Sequence, residues 1–182
     1  YNAKVQFAET YNGVIPKMNA VKKMYWEEAF HPILLLKNNE LNLPTIGQDF
    51  DLKKEKRFLV ISGPNAGGKS ITLKTVGLLQ IMFQSGLFVP VKDVSEFCWF
   101  NNILSDIGDN QSIDNQLSTY SYRLSRMKLF LNVVDEDSLI LLDEFGSGSD
   151  PDLGGALAEV FYEDLYDKNC FAVINTHYTL AL

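Results

Sequence analysis

With 182 residues, the chain has the length of one well-buried domain and is short for two, because domains usually contain roughly 100 to 200 residues. Hydrophobic residues make up 46% and charged residues 21% of the chain, which is typical of a globular protein and excludes a disordered or fibrous one. The formal net charge of −7 argues against strong binding of a phosphate backbone by this segment, because nucleic-acid binders usually carry a basic patch.

Cysteine usage and hydropathy indicate the cellular compartment of the protein. Cys98 and Cys170 show neither a CxxC pair nor metal-ligand spacing, so we expect buried free thiols rather than a disulfide or a zinc site. No apolar run reaches the roughly 18 to 20 residues of a membrane span, and the N-terminus lacks the layout of a signal peptide. We therefore expect a cytoplasmic protein with no membrane partner.

The first third of the chain carries weak patterns. Residues 1–30 are interpreted as one or two helices, broken at 12–13 and at Pro16, that form the tail of a preceding domain. The apolar run 33–36 and the alternating fragment within 44–54 are interpreted as strands near a sheet edge. Residues 31–182 are then the main domain, which we expect to be truncated at its C-terminus.

A stronger pattern begins with the apolar run 58–61, which predicts a buried strand that ends in a glycine-rich turn. A helix is predicted from Ser70 to about Gln84, with Gly86 placed to end it. Apolar residues lie nearly all round this helix, so we expect it to be buried inside the protein.

Helices and strands alternate in the rest of the chain. The further predicted elements are a helix beginning at Ser118 or Thr119, a central strand over 139–142, a helix from Asp150-Pro151 to about Asp167, and a strand over 171–175. This alternation predicts an α/β domain with a mostly parallel sheet flanked by helices, in which ligands gather at the carboxyl ends of the strands.

The turn after the first strong strand matches the phosphate-loop pattern GxxxxGK[ST] at every fixed position, between a strand and a helix as the mechanism requires. Its backbone N–H groups would surround phosphates, Lys69 would bind the β and γ phosphates, and the Ser70 hydroxyl would bind magnesium. A glycine turn without a ligand is the alternative. The predicted ATP-binding segment comprises Gly63, Pro64, Asn65, Ala66, Gly67, Gly68, Lys69, Ser70 and Ile71.

Two acidic residues follow the apolar strand 139–142. Asp143 is predicted to be the Walker B carboxylate that holds magnesium, which prefers few protein ligands plus phosphate oxygens. Glu144 is predicted to be the general base that activates the attacking water. The alternative is that the two acids only end a strand and begin a loop.

The two histidines are interpreted differently. His177 follows the strand 171–175, where it could hydrogen-bond the γ-phosphate, and we assign it a catalytic role. His31, before a proline, has no such context and is interpreted as structural.

Two polar segments leave both interpretations open. The glycine-serine loop 146–150 follows the candidate base and is either a flexible connection or a reporter of nucleotide state. The hydroxyl groups of Ser118, Thr119 and Ser121 would either cap their own helix or bind an anion such as a second phosphate.

Taken together, the runs GPNAGGKS, LSTYS, LLDEFGSGSDP and NTHY resemble the ATPase domain of the MutS family, which includes the DNA mismatch-repair ATPases. The runs LKTVGLLQ and DIGDNQSIDNQLSTYS resemble most closely the MutS-II branch, which lacks the mismatch-reading domain. The resemblance covers about residues 31–182. Departures from the family pattern are Ala66 and Ser70, where threonine is common, and Phe30, where many relatives have arginine.

The resemblance implies a P-loop NTPase fold of the ABC type that binds ATP and Mg²⁺, with Lys69, Glu144 and His177 as catalytic residues. It further implies a homodimer of the full-length protein, in which Ser118, Thr119 and Ser121 contact the nucleotide of the other subunit. Turnover would be coupled to DNA or to a ribosome, contacted mainly by regions outside this segment.

The function expected from this resemblance is ATP hydrolysis in a MutS-like DNA repair or recombination protein. The alternative is a nucleotide-gated dimerisation switch with little turnover of its own. The sequence contains neither the LSGGQ motif of transporter ATPases nor the NKxD motif of GTPases, so both of those classes are disfavoured.

Overall fold

The structure is a computed structural model that describes residues 2–63, 68–108, 116–143 and 151–176. Two compact units make up the chain, and each combines two separate stretches of sequence. Unit 1 comprises Tyr1–Lys56 and Ile71–Trp99, and unit 2 comprises Arg57–Ser70 and Phe100–Leu182.

The helices and strands follow one another in the chain as α1 (Asn2–Tyr11), β1 (Lys17–Met18), β2 (Lys23–Ala29), α2 (Pro32–Glu40), β3 (Gln48–Lys53), β4 (Phe58–Ser62), α3 (Lys69–Gln84), β5 (Glu96–Phe97), β6 (Asn102–Asp106), α4 (Gln116–Val133), β7 (Ser138–Asp143), α5 (Pro151–Asp167) and β8 (Phe171–Thr176). Within the described residues, none of these helices is long and apolar enough to cross a membrane.

Unit 1 contains a four-stranded sheet in the order β1-β5-β2-β3, in which β2 is antiparallel to both of its neighbours. Met24 and Trp26 lie on the buried face of β2 and have no exposed surface. The Trp26 ring stacks on Phe97 with centroids 4.3 Å apart and meets Phe50 edge-on at 5.6 Å. Aromatic packing of this kind adds to the free energy gained by burying the rings, so this cluster anchors the sheet.

Helix α3 is buried as its all-round apolar pattern predicts. Its residues with no exposed surface include Leu73, Val76 and Leu79. Ile81 is an exception, with 51% of its surface exposed. The helix ends at Gln84, and Gly86 follows with φ of 66°, as expected of a glycine that terminates a helix. The N–H of Leu87 donates to the carbonyl of Met82 at 3.0 Å, which satisfies one of the last helical carbonyls.

The predictions of helix and of a domain boundary in the first 30 residues have different outcomes. A helix does form near the N-terminus, as α1, but the prediction of helix is wrong for residues 17–18 and 23–29, which are strands. Along most of β2, buried side chains alternate with more exposed ones, which is the period of a β-strand. Antiparallel pairing with β3, which is distant in sequence, gives this segment its strand conformation. The domain boundary near residue 30 stays a prediction.

The apolar run 33–36 is not a strand but part of α2, so that prediction is wrong as well. Pro32 lies in the first turn, where its missing N–H costs nothing, and His31 caps the helix. The strand predicted within 44–54 is confirmed as β3, which lies at an edge of its sheet.

Unit 2 contains a second four-stranded sheet, in the order β4-β8-β7-β6, in which all neighbouring strands are parallel. This confirms an α/β fold with a parallel sheet and helices. The apolar run 139–142 forms the interior strand β7, as predicted, and β8 lies between β4 and β7. Helix α4 begins at Gln116, two residues before the predicted start, and α5 has the predicted bounds.

Both faces of the second sheet are buried. On one face, residues of α4 and α5 join the strands in a single cluster that includes Phe130, Val134, Ile140, Leu142, Ala158, Phe161, Leu165, Ala172 and Ile174. The opposite face carries Leu139, Leu141, Phe171 and Val173, each at most 1% exposed. Burial on both faces explains why β7 and β8 are continuous apolar runs rather than alternating ones.

Cys98 and Cys170 are both buried and neither forms a disulfide, as the sequence predicts. Burial raises the pKa of the Cys170 thiol to about 12. Because the thiolate is the reactive form, Cys170 is an inert core residue.

Truncation of the buried strand β7 should destabilise the protein much more than truncation of an exposed leucine in the same unit. Leu141 is 1% exposed, so we expect Leu141→Ala to lower the free energy of unfolding by about 2 to 5 kcal/mol through lost burial and a residual cavity. Leu129 on α4 is 58% exposed, and Leu129→Ala should change it by no more than about 0.5 kcal/mol. Urea unfolding followed by circular dichroism measures both, and equal effects would contradict the described packing.

Candidate functional site

Three neighbouring strands of unit 2 bring polar residues to one edge of the sheet. In the parallel pairing, Ser62 at the end of β4 lies beside Thr176, and Asp143 at the end of β7 lies beside Asn175. Adjacent strands are about 4.8 Å apart, so the ends of β4 and β7 are separated by about 10 Å, with the end of β8 between them. Parallel sheets commonly bind ligands at this carboxyl edge.

The turn after β4 has a backbone that suits glycine. Gly63 has φ of 144° and Gly68 has φ of 76°, both in the region that residues with a Cβ rarely adopt. Helix α3 begins at Lys69, directly after this turn. A helix N-terminus presents unpaired N–H groups and a partial positive charge, which suit an anion.

Lys69 is 4% exposed, and its ammonium group donates a hydrogen bond to the carbonyl oxygen of Gly63. Burial of an ammonium group is unfavourable unless polar groups surround it. The bond to Gly63 therefore holds the positive charge against the glycine turn rather than in solvent. Ser70 and Ile71 follow in the first turn of α3 and are half-buried.

Asp143 lies at the carboxyl end of β7, half-buried, and one of its carboxylate oxygens accepts a hydrogen bond from the side-chain amide of Asn175. Asn175 has no exposed surface, and its amide oxygen has no hydrogen-bond partner among the described residues. Sequence reasoning missed Asn175. The sequence feature that could have identified Asn175 is a polar amide directly after the apolar run 171–174 and two residues before the candidate histidine.

Helix α4 contacts the carboxyl end of β6, the strand at the other end of the sheet order from β4. The guanidinium of Arg126 donates to the carbonyl of Ser105 at 2.6 Å and forms an ion pair with Asp106 at 3.5 Å. Both partners belong to the carboxyl end of β6, which is the strand farthest from β4. Ser121, five residues before Arg126 on the same helix, is exposed.

The remaining predicted site residues divide into two groups. Ser118 and Thr119 belong to the first turns of α4. The others lie outside the described residues and stay predictions: Pro64, Asn65, Ala66, Gly67, Glu144, the loop 146–150 and His177.

His31 has the structural role predicted for it. Its Nδ1 accepts a hydrogen bond from the N–H of Leu34 at 3.3 Å and so caps α2. Burial lowers the pKa of His31 below its ordinary value; a backbone hydrogen bond opposes this in part, and the positive charge of Lys74 adds a smaller lowering.

The oxygen donors at the edge match the preferences of magnesium. Asp143 offers a carboxylate and Ser70 a hydroxyl, and magnesium is usually bound by one or two such protein ligands together with phosphate oxygens and water. The described residues contain no group of three or more histidines, cysteines or acids that could hold a metal on its own. The fold and the site therefore define the class as an α/β domain with a glycine turn, a buried lysine and an acidic residue at the carboxyl edge of a parallel sheet.

Comparison with known proteins gives the family. The family model of MutS domain V matches residues 59–181, so this chain belongs to the MutS family. This match confirms the resemblance that the sequence motifs indicate. Proteins named Endonuclease MutS2 are among its relatives. The sequence identity to this chain is 40% for the protein of Ligilactobacillus salivarius, 41% for that of Shouchella clausii and 41% for that of Lactiplantibacillus plantarum, in each case over 97% of this chain. The chain spans 22% of the length of each of these relatives.

The cap at His31 should make stability depend on pH. Because the pKa of His31 is lower in the folded state than its unfolded value of 6.5, the unfolded state binds more protons just below that value. The contribution of His31 to stability is therefore complete above pH 6.5 and is lost as the pH falls through the folded pKa.

Nuclear magnetic resonance titration of a His177→Ala variant, which leaves His31 as the one histidine, should give a pKa below 6.5. The additional variant His31→Asn keeps a capping side chain and should remove this part of the pH dependence of unfolding. A pKa of His31 at or above 6.5 would contradict the described cap.

Proposed function

We propose that this chain binds Mg²⁺ and ATP at the carboxyl edge of the unit 2 sheet and hydrolyses ATP, as the ATPase domain of a MutS-like DNA repair or recombination protein. The observation that carries the proposal is the strand order, since β8 alone separates the glycine turn and Lys69 after β4 from Asp143 after β7. A separation of about 10 Å suits a ligand with several phosphate groups and a bridging metal.

Binding is assigned to the glycine turn and to the start of α3. The phosphates would accept hydrogen bonds from the backbone of residues 63–68 and from the N-terminus of α3. Lys69 would exchange its bond to the Gly63 carbonyl for one to phosphate oxygens, which are stronger partners because they are charged. Ser70 and Asp143 would hold magnesium, which neutralises charge on the phosphate oxygens when it is bound.

Hydrolysis is assigned to residues that follow β7 and β8. Glu144 comes directly after Asp143 and would accept a proton from the attacking water. His177 comes directly after β8 and would donate a hydrogen bond to the γ-phosphate. Neighbouring parallel strands end at the same edge, which supports placing the two groups at one site.

A homodimer of the full-length protein is part of the proposal. Arg126 ties α4 to the end of β6, which is the strand farthest from β4 in the sheet. On the match of the run LSTYS to the family's signature segment, we assign Ser118, Thr119 and Ser121 near the start of this helix to contacts with the nucleotide of the other subunit. Contacts with DNA or a ribosome are assigned mainly to regions outside this segment, consistent with its net charge of −7.

Lys69→Ala should weaken nucleotide binding severely. Loss of a buried charged partner of phosphate costs about 2 kcal/mol or more, which is about 30-fold in the dissociation constant. Lys74 is exposed on the same helix, so Lys74→Ala is a matched control that should change affinity by less than about threefold. Titration with a fluorescent ATP analogue measures both. Equal affinities for Lys69→Ala and wild type would refute the assigned site.

Glu144→Gln should separate binding from hydrolysis. A general base contributes roughly 10²- to 10⁴-fold to the rate, so steady-state phosphate release should fall by that factor while ATP affinity is preserved. Unchanged phosphate release would refute the assigned base. If wild-type protein binds Mg-ATP but releases no phosphate at any protein concentration, the nucleotide-gated switch is the better description.

A further inference from the structure

Asn175 is a buried amide at the centre of the candidate site. It follows the apolar residues 171–174 on β8 and lies between the strand that leads to the glycine turn and the strand that ends in Asp143. It has no exposed surface, in common with the core residues that precede it. A valine or isoleucine would continue the strand and its packing without a polar group to satisfy.

The hydrogen bond to Asp143 fixes how the amide is oriented. An ionised carboxylate only accepts hydrogen bonds, so the group that faces Asp143 must be the NH₂ of Asn175, and the amide oxygen must point away. That oxygen is buried and has no partner among the described residues. A half-satisfied buried amide is unfavourable for stability, so the fold tolerates a cost at this position.

The same bond restricts Asp143. Asn175 holds one carboxylate oxygen of Asp143, and the described residues show no other side-chain donor to this carboxylate. Groups that hydrogen-bond a metal-binding carboxylate orient it for the metal, and their removal typically lowers metal affinity about 10- to 100-fold.

We propose that Asn175 is a positioning residue for Asp143, which holds that carboxylate in the orientation in which its second oxygen serves the magnesium ion bound with ATP. The inference rests on the proposed function. Asn175 acts through Asp143 and does not itself touch the reacting atoms.

A purely structural role is the competing explanation, and the chain offers a matched comparison. At the amino end of the same sheet, the amide of Asn102 on β6 donates to the hydroxyl of Ser138 on β7 at 3.3 Å. It joins the same strand β7 to a neighbour, but at the edge opposite Asp143. Loss of either link can lower stability, whereas only loss of Asn175 should change the response to magnesium.

The experiment titrates Mg²⁺ into the full chain at a fixed concentration of a fluorescent ATP analogue, and measures affinity for the analogue in EDTA separately. The variants are Asn175→Ala, Asn175→Leu, which preserves most of the side-chain volume, and Asn102→Ala. We expect half-saturation by Mg²⁺ to move about tenfold higher in both Asn175 variants. Affinity in EDTA should stay within about twofold, and Asn102→Ala should resemble wild type in both measurements.

Two outcomes overturn the inference and are distinguishable from each other. If wild type shows a magnesium-dependent gain in affinity and an Asn175 variant that folds shows the same gain, Asn175 is structural and the proposed function stands. If wild type binds no nucleotide with or without Mg²⁺, the proposed function fails and this inference fails with it. Melting temperatures of the free variants identify any that do not fold, and Asn175→Leu serves if Asn175→Ala is one of these.

Discussion

The parallel pairing of β8 with both β4 and β7 is the constraint on which the candidate site depends. Side chains alternate between the two faces of a strand, so a shift of one residue in this register would exchange the buried faces and separate Asp143 from Asn175. The register is fixed by apolar packing, because Leu142 and Ile174 precede these two polar residues and lie in the same core cluster. The hydrophobic core of unit 2 thus determines which polar groups meet at the edge of the sheet.

A second constraint is the burial of Lys69. An exposed lysine would lose side-chain entropy and its hydration shell on each binding event, whereas Lys69 is 4% exposed and is already held against the Gly63 carbonyl. The cost of burial is met when the protein folds. An anion that enters the turn therefore meets a charge that is already partly desolvated, and the gain on binding is correspondingly larger.

Some of this arrangement could be predicted from local sequence. The apolar runs of β7 and β8, and the glycine turn between β4 and α3, are read correctly because burial on both faces and a glycine-rich turn each leave a local pattern. The strand at Met24 and Trp26 was not predicted, and for His31 a structural role was predicted but not the helix that it caps. Charged neighbours obscure the alternation of β2, and histidine is an unusual cap for α2. Asn175 was missed because its role depends on a partner 32 residues away that only the sheet register brings close.

The contacts of Arg126 fix the position of α4 along the sheet. Arg126 holds the helix to β6, and three strand spacings separate β6 from β4, a distance of about 14 Å. Ser121 precedes Arg126 by little more than one turn and is exposed. The ion pair with Asp106 therefore holds α4 beside the strand farthest from the glycine turn. In the proposed homodimer, the hydroxyl groups near the start of α4 would serve a nucleotide bound to the second copy, and each catalytic site would then combine residues of both chains.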